Sequence, residues 1–288
     1  MDHNNFADRP GLSPEELELL AYLMAEEGLD DGQSQTIRAR DPHIDPPLSF
    51  AQERLWFVDQ WEPGNVAYNI PLAVRLSGRL DIGGLEWSLN EVIRRHEALR
   101  TTFPLLNDQP IQLIAPSLTL PLVQIDIERT PAAEREAEAL RLALAEAQHI
   151  FDLARGPLVR ATLLRLSAHE HVLLLNLHHI IFDGWSMGLF IREITTLYAA
   201  WTSATPGAPP DSAALLPALP IQYADVALWQ REWLQGAVLE EQLSYWLEQL
   251  RGPLPVLQLR TDRPRPPVQT SRGAIERVTL PESLTTDG

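Results

Sequence analysis

The spacing of apolar residues predicts an α/β sandwich built on a sheet of mixed strand direction. Period-two and helical segments alternate in the order strand, helix, strands, helix, two strands, helix. The last two strands, Leu158 to Leu166 and His171 to His178, are joined only by Ser167-Ala168-His169-Glu170, a hairpin-length link. No glycine-rich phosphate loop follows any strand, which argues against a doubly wound parallel sheet with a nucleotide site.

The 288 residues suffice for one large domain or two ordinary ones, and 45% are hydrophobic. No apolar run approaches the ~20 residues that span a bilayer. Met1-Asp2-His3-Asn4-Asn5 lacks the basic-then-apolar start of a signal peptide, so a cytoplasmic protein is expected. With no cysteine, disulfides, thiolate metal sites and a thiol nucleophile are excluded. A net charge of -16 argues against binding nucleic acid, whose phosphates it would repel. Residues 1–45 hold 11 acids and 3 bases, and therefore half of that charge. They read either as a solvated leader or as an acidic surface facing a partner.

Ser13-Pro14-Glu15-Glu16 opens a helix with a cap, a first-turn proline and a capping-box glutamate. Leu17, Leu20, Leu23 and Met24 form its apolar stripe, and Gly28 ends it. Asp30 to Pro47 reads as a polar linker. A second helix follows, capped at Ser49 with Gln52 three residues on. Leu72 to Ser77 alternates as a strand, Gly78 turns the chain, and Asp81 opens a helix to about Leu99 with Leu85, Leu89, Val92 and Ile93 in period. Asn107-Asp108 marks a hairpin within Thr101 to Ile114. Pro131 to Gln148, rich in alanine and glutamate, favours helix. His169 and His171, beside the last turn, are expected to face solvent. Thr202 to Pro220 reads as a surface loop, and Leu239 to Leu250 as a helix.

The chain is organised around Leu173 to Ser186. An apolar strand delivers His178 and His179 to a corner, Asp183 follows, and an amphipathic helix runs from about Ser186 to Trp201. Neighbouring strand side chains point to opposite faces. One imidazole therefore faces a cleft, and the other faces the interior. Gly184 would free the backbone to turn sharply, with Ser186 as the helix N-cap. Two imidazoles and a carboxylate could hold zinc, but adjacent histidines diverge and no third nitrogen or thiolate lies near. A buried histidine pair closing a strand is the plainest reading. Asp183 could orient an imidazole as the acid of a triad does.

Four segments together resemble the condensation domains of nonribosomal peptide synthetases. His178-His179-Ile180-Ile181-Phe182-Asp183-Gly184 reads as HHxxxDG. Ser49 to Phe57 is similar to SxAQxRLWFL, with a fitting continuation from Glu62 to Pro71. Arg95-His96-Glu97-Ala98-Leu99-Arg100-Thr101-Thr102-Phe103 matches RHExLRTTF. Ile221 to Gln230 resembles YxDYAxW, but Ala224-Asp225-Val226 displaces its second aromatic.

The resemblance implies a chloramphenicol acetyltransferase-like sandwich, one lobe of a two-lobe domain. On that reading residues 1–45 are a leader, 46–265 the N-terminal lobe, and 266–288 an entry into a truncated second lobe. It implies amide formation between a carrier-bound donor thioester and a carrier-bound acceptor amine, with His179 catalytic. His178, Asp183, Gly184, Trp185, Ser186 and Arg95 would support the site. Arg95 would form a buried ion pair with Asp183, Trp185 would pack beside the reacting centre, and Gly184 would bring backbone amides near it. No cofactor or metal is implied; substrates would arrive on phosphopantetheine arms of upstream and downstream peptidyl carrier proteins, with an adenylation domain downstream. The wording from His179 to Gly188 most resembles the subtype taking an L-configured donor. A docking module of the same fold, or an epimerisation domain, is the alternative.

Overall fold

The computed structural model describes residues 36–41, 44–204, 209–257, 259–264, 267 and 278–280. The helix expected from Ser13 to Gly28 lies outside them. The chain forms two compact units that divide between Leu243 and Ser244.

Along the first unit, α1 (Phe50–Trp61) leads to β1 (Asn69–Ser77) and α2 (Ile82–Arg95). A 3-10 turn (Glu97–Arg100) and four two-residue strands follow: β2 (Thr101–Thr102), β3 (Leu105–Leu106), β4 (Gln109–Pro110) and β5 (Leu113–Ile114). Next come β6 (Leu122–Asp126), α3 (Arg135–Ala147), β7 (Val159–Ser167), β8 (Glu170–His178) and α4 (Gly184–Ser203). The short α5 (Ser212–Leu215), α6 (Tyr223–Trp233) and α7 (Gly236–Gln249) complete the series, α7 crossing the division between the units.

Local chemistry sets these boundaries. The Ser49–Gln52 capping box starts α1, and Asp81 caps α2 by accepting from the Gly84 amide at 2.9 Å. Asn107 and Asp108 both take positive φ (51° and 61°), the backbone that a two-residue hairpin between β3 and β4 requires. α2 stops at Arg95 rather than near Leu99, because the chain tightens there into the 3-10 turn.

The principal sheet has the order β1-β8-β7-β6. β8 is antiparallel to both neighbours, whereas β6 runs parallel to β7, so the sheet is mixed as expected. The strand β6 itself was not foreseen. Strand alternation sends β8 to two cores. Leu173, Leu175 and Leu177 join Leu85, Leu89 and Val92 of α2 and Phe190, Ile194 and Leu197 of α4. Val172 and Leu174 point the other way, to Ile127 and to Ala139 of α3. α2 and α4 pack closely: a Cβ at Gly84 would collide with the indole of Trp201. His171 is a correction, buried at 4% exposure where solvent was expected, while His169 is exposed. It sits mid-sheet, paired with Leu76 of β1 and Arg165 of β7, so the turn does not reach it.

The part of the supposed linker that is described packs on the body of the first unit. The Pro46 carbonyl accepts from the Gln112 amide (2.9 Å), and that of Pro47 from the Gln112 side chain (2.7 Å). Arg40 is bound still more firmly, as described below. In the second unit, Leu254, Val256, Leu257 and Leu259 are exposed. No helix among the described residues is long and apolar enough to cross a membrane.

Candidate active site

β8 ends at His178, and His179 follows as the first residue of the turn. His178 is buried at 3% exposure, with its ring edge-on to Phe151 (centroids 6.1 Å apart). Its Nδ1 accepts a hydrogen bond from the Ile180 amide (3.2 Å), which holds the chain in the turn beyond the strand. Burial, helped by the neighbouring His179, lowers its pKa to about 4. It is therefore a neutral acceptor near neutral pH. His179 is exposed and lines a cleft of about 280 Å³. Its amide donates to the Tyr68 carbonyl (2.8 Å), so the backbone is held while the ring is free of protein hydrogen bonds among the described residues.

Asp183 also lines the cleft. It, rather than Ser186, is the N-cap of α4: Oδ1 accepts from the Ser186 amide (2.8 Å) and hydroxyl (2.6 Å). The Ser186 hydroxyl hydrogen bond, with the Ser186 and Trp185 amides and the charge of nearby His179, holds the carboxyl below the usual range despite partial burial. Gly184 is the first residue of α4, but its φ is not positive and a Cβ there would meet open space. The sharp turn thus needs no glycine. Trp185 is 93% exposed and does not pack beside the site.

The expected Arg95–Asp183 pair is replaced by another. Arg95 Nε donates to Glu193 Oε1 (3.0 Å), and its Nη2 to the Pro217 carbonyl. Asp183 is satisfied by its own helix terminus, whereas Glu193 is 3% exposed on α4 facing α2, so the guanidinium goes to the buried charge. Glu193 Oε2 also contacts His96 Nε2 at 2.7 Å. Burial pushes the Glu193 carboxyl up, but His96 and Arg95 outweigh it and leave the pKa lowered.

The other matched segments converge here. Gln52 donates to the Ile180 carbonyl (3.3 Å), and Ser49 Oγ lies 3.0 Å from the hydroxyl of Tyr223, a cleft residue on α6. Asp225, 3% exposed, accepts from Arg40 Nη1 (2.8 Å), whose other arm reaches Glu97 at 2.7 Å. His96 stands on the cleft wall as well, and behind it an apolar recess of about 80 Å³ is lined by Val92, Leu99 and Phe190. Glu193, Arg40 and the cleft position of His96 carried no signal in spacing, since each depends on contacts between distant segments. Among the described residues no three metal-ligating side chains come together. The cleft can therefore present an unencumbered imidazole to a substrate from a wall held by buried ion pairs.

The family model described as Condensation domain matches residues 45–287. The chain is 51% identical over 242 residues to a linear gramicidin synthase of Brevibacillus parabrevis, covering 84% of this chain and 3% of that protein. It is 48% identical over 241 residues to the phosphinothricin tripeptide synthetase PhsC of Streptomyces viridochromogenes, covering 83% and 22%. Among solved structures it is similar to the X-domain in its complex with OxyB from teicoplanin biosynthesis: TM-score 0.65, 32% identity, 80% of this chain and 49% of that one. The starter condensation domain of the rhizomide synthetase RzmA shares the fold, with a TM-score of 0.61 at 23% identity over 72% of this chain and 48% of that one. The chain thus spans about half of those solved chains and a small part of the synthetases.

Proposed function

Because the chain belongs to the condensation-domain family, we propose that it joins a carrier-bound donor aminoacyl or peptidyl thioester to a carrier-bound acceptor amine. The observation that carries this reading is an exposed His179 on a cleft lined by three of the matched segments and braced by the fourth through Gln52 and Ser49. The amine attacks the thioester carbon, the C–N bond forms, the C–S bond breaks, and an amide and a thiol result. His179 takes the amine proton and returns it to the departing sulfur. A positioned base contributes on the order of 10²–10⁴-fold, so orienting two tethered substrates must supply much of the rest. His178, Asp183, Arg95 and Ser186 hold the wall and do not touch the reacting atoms, and Gly184 leaves the start of α4 open.

The substrates come on phosphopantetheine arms of carrier proteins upstream and downstream, in a cytoplasmic synthetase that also carries an adenylation domain and a second lobe closing the cleft. The half-length match to solved chains supports that second lobe. The expected boundaries, 46–265 for this lobe and 266–288 for the entry into the next, belong to the same proposal.

A recruiting module of the same fold is the second reading, favoured by the likeness to an X-domain solved with OxyB. The two part on His179→Ala in the full synthetase, assayed by mass spectrometry with loaded carriers. Loss of the amide product with carrier binding retained supports catalysis; condensation at the wild-type rate would overturn it.

A further inference from the structure

Two imidazoles, not one, face the cleft. His96 follows the last residue of α2, and its side chain remains 20% exposed where it lines the same cavity as His179. Unlike His179, it is held by a carboxylate: Glu193 Oε2 lies 2.7 Å from His96 Nε2, and Arg95 grips the other carboxylate oxygen. Glu193 is ionised, its pKa lowered although burial opposes this. An ionised carboxylate only accepts, so Nε2 must carry a proton. In the neutral ring Nδ1 is then a bare acceptor, and it has no partner among the described residues. A buried acid orienting an imidazole whose other nitrogen is free is the arrangement by which a carboxylate fixes a tautomer for catalysis. A merely structural tie between α2 and α4 would need only Arg95.

Resting on the condensation reading, we propose that His96 is a second catalytic residue, whose Nδ1 accepts a hydrogen bond from the acceptor amine. The nucleophile has two N–H bonds to place. One proton leaves to His179 and passes to the departing thiolate as C–N forms and C–S breaks. The other N–H remains in the amide, and His96 holds it without exchanging a proton. With both bonds anchored, the nitrogen lone pair is aimed at the carbonyl carbon, which is an orientational gain.

Glu193→Gln is the informative variant. Arg95 can only donate, so it takes the Gln oxygen and leaves the NH2 to face His96 Nε2. That nitrogen must then accept, and the ring proton moves to Nδ1, where it opposes the amine. The shape of the wall is unchanged. Nitrogen chemical shifts of His96 in this chain should report Nε2–H for the wild type and Nδ1–H for the variant.

In the synthetase carrying this chain, Glu193→Gln and His96→Phe should each lower the turnover of the loaded acceptor by on the order of 10²-fold. Thioester loading should change little; the melting temperature of Glu193→Gln should fall, because Arg95 loses its countercharge, so turnover is compared well below that temperature. Wild-type turnover in Glu193→Gln, or a wild-type ring protonated on Nδ1, overturns the proposal, and both remain decisive even where His96→Phe does not fold. His179→Ala run beside them separates the two ideas: if it too turns over normally, the condensation reading has failed, and if it alone is dead, only His96 has.

Discussion

The Gln52 side-chain amide donates to the Ile180 carbonyl at 3.3 Å, and so ties α1 to the residue after His179. The same side chain accepts from the Ser49 amide (3.0 Å) and reaches Gln112 Oε1 (3.4 Å), all at 2% exposure. One residue therefore closes a helix cap and braces the loop that carries the candidate catalytic imidazole.

Gln52→Leu should therefore remove three buried hydrogen bonds and leave their partners unsatisfied. Each orphaned group costs about 1–3 kcal/mol. Urea unfolding should show a loss of at least ~2 kcal/mol at unchanged m-value. A loss below ~0.5 kcal/mol would mean that Gln52 is not the brace.

Arg95, Glu193 and Asp183 can be ranked by double-mutant cycles. Arg95 with Glu193 should show coupling within the range of about 0.5–3 kcal/mol for residues in one buried network. Arg95 with Asp183 should add within ~0.5 kcal/mol, because they share no contact. Asp183→Ala alone should cost about 0.5–2 kcal/mol, as loss of an N-cap does. Equal coupling in both cycles would restore the pairing that the sequence suggested.

His178 makes stability depend on pH in a defined window. Its folded pKa of about 4 lies below the ordinary value of 6.5, so the unfolded chain binds the extra proton first. Stability is then full above pH 6.5 and declines as pH falls toward 4. The shift corresponds to about 3 kcal/mol, with buried His171, also lowered by burial and by Arg165, acting in the same direction. Paired carboxylates such as Glu193 and Asp225, whose pKa values are lowered, add their own loss of stability at the acid end of this window and below it. His178→Asn keeps a short acceptor for the Ile180 amide and should flatten the slope between pH 6.5 and 4.5 in urea titrations. An unchanged slope would remove His178 as its source.

What the sequence revealed follows the range of the interactions involved. Strand alternation separated His178 from the residue that follows, because the period of two is a property of the backbone, although β8 ends at His178 and His179 is the first residue of the turn. The caps at Ser49 and Asp81 were readable for the same reason, since donor and acceptor lie three residues apart. β6 escaped because Val123 and Gln124, on opposite faces, are both exposed and it is only five residues long. The Arg95 partner escaped because Glu193 and Asp183 sit nearly three turns apart on and before one helix, and only burial distinguishes them. Arg40 was hidden by its setting, a polar stretch whose composition is that of a linker.

Arg40 carries the last prediction. The family match begins at residue 45, so a chain started at Asp45 would contain the whole matched region. Arg40 nonetheless spans Glu97 (2.7 Å) beside the second motif and Asp225 (2.8 Å) in the fourth, with Asp225 only 3% exposed. Asp225 Oδ2 meanwhile accepts from the Gln222 amide (2.7 Å) and caps α6, which presents Tyr223 to the cleft. Removing the guanidinium leaves Asp225 buried with no countercharge and Glu97 with only the more distant Arg100 at 3.8 Å. Breaking a buried pair from one side costs about 3–5 kcal/mol. At about 2–4 °C per kcal/mol for a chain of this size, Arg40→Met and the chain started at Asp45 should both melt at least ~6 °C lower. Replacing Asp225 by Asn in the Arg40→Met background should recover part of the loss, since the uncompensated charge is gone. Melting of the shortened chain within a degree of the parent would show that the ion pair contributes nothing, and that the cleft wall is held by α6 packing alone.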